Sequence, residues 1–341
     1  MISFESDYIN GACPEVLAKL MSTNGETHTG YMCDDLCASA RAKIRKACGR
    51  EDLDIYFAVG GTQANALVIG TTLENYQGVI AAKTGHVSLH EGGAIEFTGH
   101  KVIELPEKNG KVEAAELKNY LEIFYADENH DKMVFPGMLY ISQPTEYGTL
   151  YTKEELTELS EICHRCGMKL YADGARLGYG LMAKNADVTL SVLCELCDIF
   201  YIGGTKVGAL CGEAIVFTKG QMPAHFETVA RQRSSMIAKG RLLGAQFDAL
   251  FTDDTYFKIS AHAIDMAMKI RKAFTEKGYS IFIDSPTNQQ FIILENEFME
   301  SIKDKVGFCF WEKYDDTHTV VRFASSWSTT EEDLAYLQTL I

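Results

Sequence analysis

Short apolar runs alternate with helical patterns along the first two thirds of the chain. The runs are rich in β-branched and aromatic residues, which is typical of buried strands. They predict strands at "DIYFAV", "VIAA", "KVIEL", "MLYIS", "MKLYAD", "DIFYI" and "EAIVF". Helices are predicted between them, from Thr62, near Gly92, from Glu113, from Thr152 and near Leu190. This alternation predicts an α/β domain with a mostly parallel sheet that helices cover on both faces.

The pattern changes after the helical stretch "KGRLLGAQFDALF". One long helical pattern is followed by runs in which apolar and polar residues alternate, as in a half-exposed antiparallel sheet. The predicted strands are "YSIFI", "QQFIIL", "FCFWEKY" and "TVVRFA", with helices near Glu297 and from Thr329. We therefore predict a large domain over residues 1–245 and a smaller C-terminal α+β domain over residues 246–341. The N-terminal segment could pack on the small domain.

The composition is that of a soluble globular protein, with 46% hydrophobic and 23% charged residues in a chain of 341. A formal net charge of −15 argues against nucleic acid or an anionic membrane as the main partner, because both attract a surplus of Lys and Arg. The sequence "MISFESDYIN" carries acidic residues where a secretory signal needs basic ones, and no apolar stretch is long enough to span a bilayer. We therefore expect a cytoplasmic protein that acts on a small molecule.

Two cysteine pairs, Cys163-x-x-Cys166 and Cys194-x-x-Cys197, have the internal spacing of a zinc site. The gap between the pairs exceeds the usual span, however, and "KEELTELSEICHRCG" is typical of an amphipathic helix that buries its thiols. Ten cysteines also suit a reducing compartment. We therefore expect no metal site.

Lys206 lies in "GGTKVGA", directly after the predicted strand "DIFYI". A lysine in this position is a phosphate contact, a covalent nucleophile or a solvated turn residue, and the segment alone leaves all three open. In the first two cases, the glycines before it would leave room for a ligand ring against the backbone.

Two further features follow other predicted strands. In "AVGGTQANALVIG", Gly61 and a capping Thr62 would present free helix N–H groups to an anion. Asp173 ends the predicted strand "MKLYAD" and Arg176 follows it, and the carboxyl ends of parallel strands meet at one edge of a sheet. Together with Lys206 they match the needs of pyridoxal phosphate: a phosphate site, a carboxylate for the ring nitrogen and a lysine for the aldehyde.

Two histidines follow the strand "VIAA", in "KTGHVSLHEGGAIEF". A flat imidazole at His86 could stack on a pyridine ring or act near the reacting carbon. An ordinary loop histidine is the commoner interpretation of either residue, but the neighbouring features favour a role for His86.

The ordered set of motifs resembles the threonine aldolase family of the β-eliminating lyases, within the aspartate aminotransferase fold group (pyridoxal-phosphate fold type I). The resemblance covers nearly the whole chain. It rests on "FESD", "GYMCDD", "GGTQAN", "GHVSLHEGGAIE", "YADGARLG", "GGTKVGA", "KGRLLGAQ" and "VRFASSW". Each motif is moderately specific, and the ordered set is strong.

The resemblance implies pyridoxal 5'-phosphate as the cofactor. Lys206 would hold its aldehyde as a Schiff base, and Asp173 would pair with its ring nitrogen. The remaining cofactor contacts implied are Gly61, Thr62 and Gln63 at the phosphate and His86 stacked on the ring. Tyr31 and Arg241 would reach the phosphate of a neighbouring subunit's cofactor, which implies a homodimer or homotetramer with shared active sites.

The implied reaction is aldol cleavage of β-hydroxy-α-amino acids, such as L-threonine or L-allo-threonine, to glycine and an aldehyde. Ser6, Arg176 and Arg322 would bind the substrate carboxylate. Another activity on the same scaffold, such as that of a racemase, an aminotransferase or a β-lyase, stays open, because a fold does not fix a reaction. A remote alternative is a non-catalytic metal- or phosphate-binding module.

Two points stay open. The base that takes the β-hydroxyl proton could be His86, His90, Glu91 or a water molecule. Many family members carry Glu-Asn-Thr-His after the strand "GMLYIS", whereas this chain has Gln-Pro-Thr-Glu-Tyr-Gly at residues 143–148. This departure leaves the contacts to the substrate side chain, and therefore the substrate preference, open.

Overall fold

The computed structural model describes residues 2–341. Its strands are β1 (Ile2–Ser3), β2 (Asp54–Ala58), β3 (Gln77–Ala82), β4 (Val102–Leu105), β5 (Phe135–Ser142), β6 (Lys169–Asp173), β7 (Ile199–Gly203), β8 (Glu213–Phe217), β9 (Gln289–Glu295), β10 (Val306–Gly307), β11 (Cys309–Lys313) and β12 (His318–Ala324). Its α-helices are α1 (Pro14–Thr23), α2 (Asp35–Cys48), α3 (Gly61–Thr72), α4 (His86–Leu89), α5 (Ala114–Ala126), α6 (Lys153–Arg165), α7 (Leu177–Met182), α8 (Leu190–Leu196), α9 (Phe226–Gln232), α10 (Arg241–Leu250), α11 (Thr255–Glu276), α12 (Asn296–Ile302) and α13 (Glu331–Leu340). In this part of the chain, no helix combines the length and the apolar character needed to cross a bilayer.

A seven-stranded sheet forms the centre of the large unit, with the strand order β2-β8-β7-β6-β5-β3-β4. Strand β8 is antiparallel to both of its neighbours, and the other pairs are parallel. Strands β7 and β8 are buried along their whole length, because covered sheet faces leave no side of an inner strand exposed to water. The predicted α/β fold with a mostly parallel sheet is confirmed.

Glycines at the end of β7 allow two backbone segments to approach closely. A Cβ atom added at Gly203 would lie 2.2 Å from the carbonyl oxygen of Ala175, and one added at Gly204 would lie 2.6 Å from that of Gly212. These glycines therefore make room for neighbouring backbone. The interpretation that they leave room for a ligand ring was wrong, since backbone of Ala175 and Gly212 occupies that space. The sequence does not show which loops pack against these glycines.

We expect Gly203→Ala to lower the free energy of unfolding by about 3 kcal/mol, because a methyl group cannot fit against a carbonyl oxygen without moving the backbone. Thermal melting of the purified variant measures the loss. Gly25→Ala is the matched control, since its added Cβ would meet no atom within 4 Å. Equal melting temperatures for the two variants would contradict this account of the packing.

A smaller unit follows, built on the antiparallel sheet β11-β12-β9. Helix α11 connects it to the large unit, since Ile264 packs in the first hydrophobic core and Met266 packs in the second. The N-terminal strand β1 pairs with β10, and Phe4 lies in the second core. Residues 2–4 therefore pack on the small unit, and the packing changes from one core to the other within α11. A domain boundary at residue 245 stays our proposal.

One predicted strand, "YSIFI", does not form. Its residues make only a bridge between Ile281 and Ile292 and a few backbone hydrogen bonds to β9, such as that from Phe282 N to Phe291 O at 2.9 Å. A turn with a hydrogen bond from Ser285 N to Ile283 O follows at once. The apolar pattern was correct, but the turn ends the pairing before a strand is established.

Candidate active site

Two adjoining cavities open at the carboxyl edge of the large sheet. The inner cavity, of about 200 Å³, is lined by residues at or next to the ends of several different strands, among them Gly60, Gly61, Thr62, Asp173, Lys206 and Glu213. The outer cavity, of about 600 Å³, lies toward the small unit and is lined by Arg322 and by residues of β11. Four side chains line both cavities: His86, Glu146, Arg176 and Lys206. The topology therefore brings together the residues that the sequence predicted at separate strand ends.

Lys206 follows β7 and lies where the two cavities meet. Burial lowers the pKa of its amine, and the positive charge of Arg176 lowers it further, against the opposing effect of Asp7 and Asp173. The hydroxyl of Tyr179 donates a hydrogen bond of 2.5 Å to the carbonyl oxygen of Lys206 and so fixes its backbone. A larger fraction of an amine with a lowered pKa is unprotonated at neutral pH, so this lysine is a better nucleophile than a solvated one.

Asp173 ends β6 and is almost completely buried. One oxygen accepts hydrogen bonds from the Tyr140 hydroxyl at 2.6 Å and the Asn65 amide at 3.0 Å, and the other accepts from the Tyr201 hydroxyl. Burial by itself raises the pKa of this carboxyl, but the nearby His86 and the three donors outweigh it and lower the pKa. Asp173 is therefore a fixed negative charge at the inner cavity.

The N-terminus of α3 lines another part of the inner cavity. The helix begins at Gly61 with Gly60 as its N-cap, so Thr62 lies in the first turn and is not the cap that the sequence predicted. Gly61 and Thr62 line the cavity, and the first N–H groups of a helix have no partner within it. The side chain of Gln63 instead accepts a hydrogen bond of 3.1 Å from Val59 N.

His86 begins α4, and the carboxylate of Glu91 fixes its ring. Nδ1 of His86 lies 2.8 Å from Oε1 of Glu91, and the Asn65 amide donates a hydrogen bond of 2.6 Å to the same oxygen. Asn65 also contacts Asp173, so one side chain connects the two carboxylates. Glu91 lines neither cavity and acts here as a positioning residue for the imidazole.

Two arginines line the outer cavity and differ in their partners. The guanidinium of Arg176 donates to both oxygens of the buried Asp7, at 2.7 and 3.0 Å. Arg322 donates to Gln289 Oε1 at 3.0 Å and to the carbonyl oxygen of Glu5 at 3.1 Å, and its Nε has no hydrogen-bond partner. Arg322 therefore carries donors that no carboxylate in residues 2–341 satisfies.

Four of the predicted site residues line neither cavity: Gln63, Ser6, Tyr31 and Arg241. Ser6 Oγ donates a hydrogen bond of 3.5 Å to Asp7, so it supports the partner of Arg176. Tyr31 is partly exposed, and the guanidinium carbon of Arg231 lies 5.0 Å from its ring centroid. Arg241 donates to two carbonyl oxygens at the end of α1, at 2.7 and 3.2 Å. A role for Tyr31 and Arg241 across a subunit interface stays a prediction.

Two glutamates in the site, the half-buried Glu146 and the buried Glu213, were not predicted as site residues. Glu146 accepts hydrogen bonds from Ser142 Oγ at 2.6 Å and from His86 N at 3.0 Å, while its Oε2 has no partner, and burial raises its pKa. Glu213 accepts from Gly204 N at 2.9 Å, and burial raises its pKa to about 7. The position of Glu213 at the start of the apolar run "EAIVF" could have indicated a site residue. A charged residue is rarely fully buried in a strand unless it has a specific partner or a functional role.

The cysteine pairs are separate from this site. Cys163, Cys194 and Cys197 are buried, and Cys166 is half-buried. Within residues 2–341, no group of three or more His, Cys, Asp or Glu side chains is arranged to hold a metal ion. Burial raises the pKa of Cys163 and of Cys197, which keeps both thiols protonated.

The chain is similar in sequence and in fold to several known proteins. A sequence model of the beta-eliminating lyase family matches residues 3–293. A solved structure of Leishmania major threonine aldolase matches with a TM-score of 0.95 and 35% identity, covering 100% of this chain and 98% of that chain. The chain belongs to the threonine aldolase family of β-eliminating lyases. The resemblance inferred from the ordered motifs is thereby confirmed.

This member of the threonine aldolase family is also similar to two bacterial enzymes in sequence and to an aminotransferase in fold. The low specificity L-threonine aldolase of Pseudomonas sp. (strain NCIMB 10558) is 29% identical over 331 residues, covering 96% of this chain and 93% of that protein. That of Pseudomonas aeruginosa is 28% identical, with 96% and 94% covered. A Thermus thermophilus aspartate aminotransferase, 15% identical, shares the fold with a TM-score of 0.72 over 100% of this chain and 92% of that one. The aspartate aminotransferase-like fold is therefore confirmed.

Proposed function

We propose that the chain cleaves β-hydroxy-α-amino acids, such as L-threonine and L-allo-threonine, to glycine and an aldehyde, with pyridoxal 5'-phosphate as its cofactor. The observation that carries the proposal is the inner cavity, where the half-buried Lys206 with its lowered pKa, the buried anionic carboxylate of Asp173 and a helix N-terminus lie together. The named activity of the relatives supports the same reaction.

The residues present fit this cofactor. A phosphate suits the free N–H groups at the start of α3, and the low pKa of Asp173 suits a protonated ring nitrogen. When bound, pyridoxal phosphate accepts the electron pair released from the Cα–Cβ bond of the substrate. The residues that would hold it are Gly61, Thr62 and Gln63 at the phosphate, Asp173 at the ring nitrogen, Lys206 at the aldehyde, His86 at the ring face, and Tyr31 and Arg241 from a neighbouring subunit.

Arg176 and Arg322 would bind the substrate carboxylate, with Ser6 supporting Asp7. The Asp7 carboxylate holds Arg176 in one orientation, while Arg322 offers unsatisfied donors in a partly desolvated setting. A guanidinium binds a planar carboxylate through two parallel hydrogen bonds, which fixes the orientation of the amino acid about its Cα. These arginines therefore decide which bond at Cα is aligned for cleavage.

His86 and His90 are the bases that we propose for the β-hydroxyl proton, with water as the remaining candidate. Both line the outer cavity. Burial lowers the pKa of His90, and the positive charges of His86, Arg322 and Lys206 lower it further, so its imidazole is neutral and able to accept a proton at neutral pH. Glu91 is less suited, because one of its oxygens is occupied by His86 and Asn65.

We further propose a cytoplasmic homodimer or homotetramer. Tyr31 is partly exposed in the single chain. A neighbouring subunit that covered it would complete the cofactor site as the family resemblance implies. Soluble oligomers are usually symmetric, so each subunit would both give and receive these contacts.

We expect the purified holoenzyme to release glycine and an aldehyde in equal amounts from L-threonine and L-allo-threonine, and none from the D-forms. The measurement is a panel of the four stereoisomers, scored for glycine, aldehyde and keto acid and, by chiral chromatography, for the other stereoisomers of threonine. A boiled sample of the same enzyme is the control for non-enzymatic breakdown. A keto acid without glycine, or D-threonine from L-threonine, would replace the aldolase proposal by a transaminase or racemase activity.

A further inference from the structure

The outer cavity is much larger than threonine requires. Its volume is about 600 Å³, whereas threonine places only a methyl group and a hydroxyl on its β-carbon. Aromatic side chains form much of its wall, namely Tyr8, Tyr147, Phe310 and Trp311. The cavity can therefore hold a side chain that extends well beyond Cβ.

Three cationic side chains and the carboxylate of Glu312 line this cavity. Arg176, Arg322 and Lys206 line it, and our proposed function assigns them to the α-carboxylate and the α-amino group of the substrate. Glu312 also lines the cavity, is half-buried and forms no ion pair with any Lys, Arg or His in residues 2–341. Its carboxylate is therefore free to meet a positive charge.

A tyrosine fixes the position of the Glu312 carboxylate. The Tyr147 hydroxyl donates a hydrogen bond of 3.2 Å to Glu312 Oε2. Burial, Glu312 and Glu107 together raise the pKa of Tyr147 to about 12, so the hydroxyl keeps its proton. The Tyr147 ring packs edge to face on Trp311 with centroids 5.5 Å apart, and Trp311 packs on Phe291 at 4.9 Å. The carboxylate thus lies on a rigid aromatic wall.

The sheet register separates Glu312 from the carboxylate-binding arginine. Arg322 pairs with Cys309, whereas Glu312 pairs with Val320, two residues away along β12. Two residues of a strand span roughly 7 Å. An amino acid whose carboxylate is bound by Arg322 would therefore reach Glu312 with a charged group several bonds beyond its α-carbon.

We propose that the outer cavity selects β-hydroxy-α-amino acids with an extended side chain that ends in an ammonium group, and that Glu312 and Tyr147 recognise this cation. The inference rests on the proposed function and specifies its substrate class. Cleavage would break the Cα–Cβ bond, transfer the hydroxyl proton to the base, add a proton to Cα and release glycine with a cationic aldehyde. A half-buried carboxylate beside aromatic rings suits an ammonium group, because the faces of the rings also attract a cation.

Binding of L-lysine and L-norleucine to the holoenzyme tests the proposal directly. The two amino acids differ mainly in the terminal charge, and neither has a β-hydroxyl, so neither can undergo aldol cleavage. We expect calorimetry to give a dissociation constant about ten-fold lower for lysine, and Glu312→Gln to reduce this preference to about one while norleucine binding stays within two-fold. The control is Glu295→Gln, at the end of β9 and outside both cavities. Equal binding in the wild type, or a preference that persists in Glu312→Gln, would overturn the proposal.

Turnover separates this inference from the function on which it rests. We expect kcat/KM for β-hydroxylysine to exceed that for β-hydroxynorleucine by about ten-fold, and Glu312→Gln to remove the difference. If threonine is cleaved but the cationic substrate has no advantage over its neutral analogue, the inference on substrate class fails and the aldolase function stands. If lysine binds preferentially through Glu312 but no β-hydroxy-α-amino acid is cleaved, the aldolase function fails and the cation site stands.

Discussion

Replacing Lys206 by alanine is expected to remove the visible absorption band of the bound cofactor and to lower kcat for L-threonine by roughly a thousandfold or more. Lys206 supplies the amine at the meeting point of the two cavities. Its buried setting lowers its pKa, so it can attack an aldehyde at neutral pH without the help of another base. Arginine at this position would keep the charge but not the nucleophile, and Lys206→Arg is expected to be equally inactive.

Absorption spectra and aldehyde release of the two variants measure this effect. Lys184→Ala is the matched control, because it removes an exposed lysine between α7 and α8 that lines neither cavity. We expect the control to keep both the band and the activity. A Lys206→Ala enzyme that retained a wild-type spectrum after dialysis would show that a different amine holds the cofactor.

The chemistry at the sheet edge could be predicted because it follows from strand order alone. Asp173 and Lys206 each come directly after an apolar run, and the carboxyl ends of parallel strands must share one edge. This prediction required no knowledge of the residues that contact Asp173 and Lys206. The same rule placed His86 correctly beside them, since it follows β3.

The surroundings of these residues could not be predicted, because they depend on register and on contacts distant in sequence. The sequence pattern around Tyr140 and Tyr201 is typical of core residues in apolar strands. Only the register of β5, β6 and β7 brings their hydroxyls to Asp173. The pair between Asp7 and Arg176 joins residues far apart in the chain. Local patterns carry no information about such pairs, even where both members lie in recognised motifs.

The N-cap of α3 is another detail that the sequence did not predict correctly. Thr62 was the expected cap because threonine caps helices more often than glycine does. Gly60 takes the position instead, with an extended backbone at φ −172°. An N-cap threonine side chain would accept a hydrogen bond from one of the first N–H groups, whereas glycine leaves those groups available to an anion.

Asp173→Asn is the second substitution with a large expected effect. Asparagine keeps the size of the side chain and an oxygen that can accept from Tyr140 or Tyr201, but it removes the negative charge. A charge-assisted hydrogen bond is worth about 1.5–3 kcal/mol, so we expect the dissociation constant of the cofactor to rise by roughly ten- to a hundred-fold. We expect kcat to fall by at least about a hundredfold, because a neutral amide cannot keep the ring nitrogen protonated.

A second buried aspartate separates this effect from a loss of folding. Asp198 lies just before β7, at the opposite edge of the sheet, and its Oδ2 accepts a hydrogen bond from Leu170 N at 2.9 Å and lies 3.0 Å from His164 Nε2. Asp198→Asn removes a buried charge of the same kind but should leave cofactor affinity and kcat within about two-fold, with any loss confined to the melting temperature. If Asp173→Asn also changed only the melting temperature, Asp173 would be a structural carboxylate and the ring nitrogen would need another partner. If both variants lost the cofactor, the cause would be a disrupted sheet and not the loss of the Asp173 charge. Asp173→Asn and Asp198→Asn would then be compared at a temperature at which both remain folded.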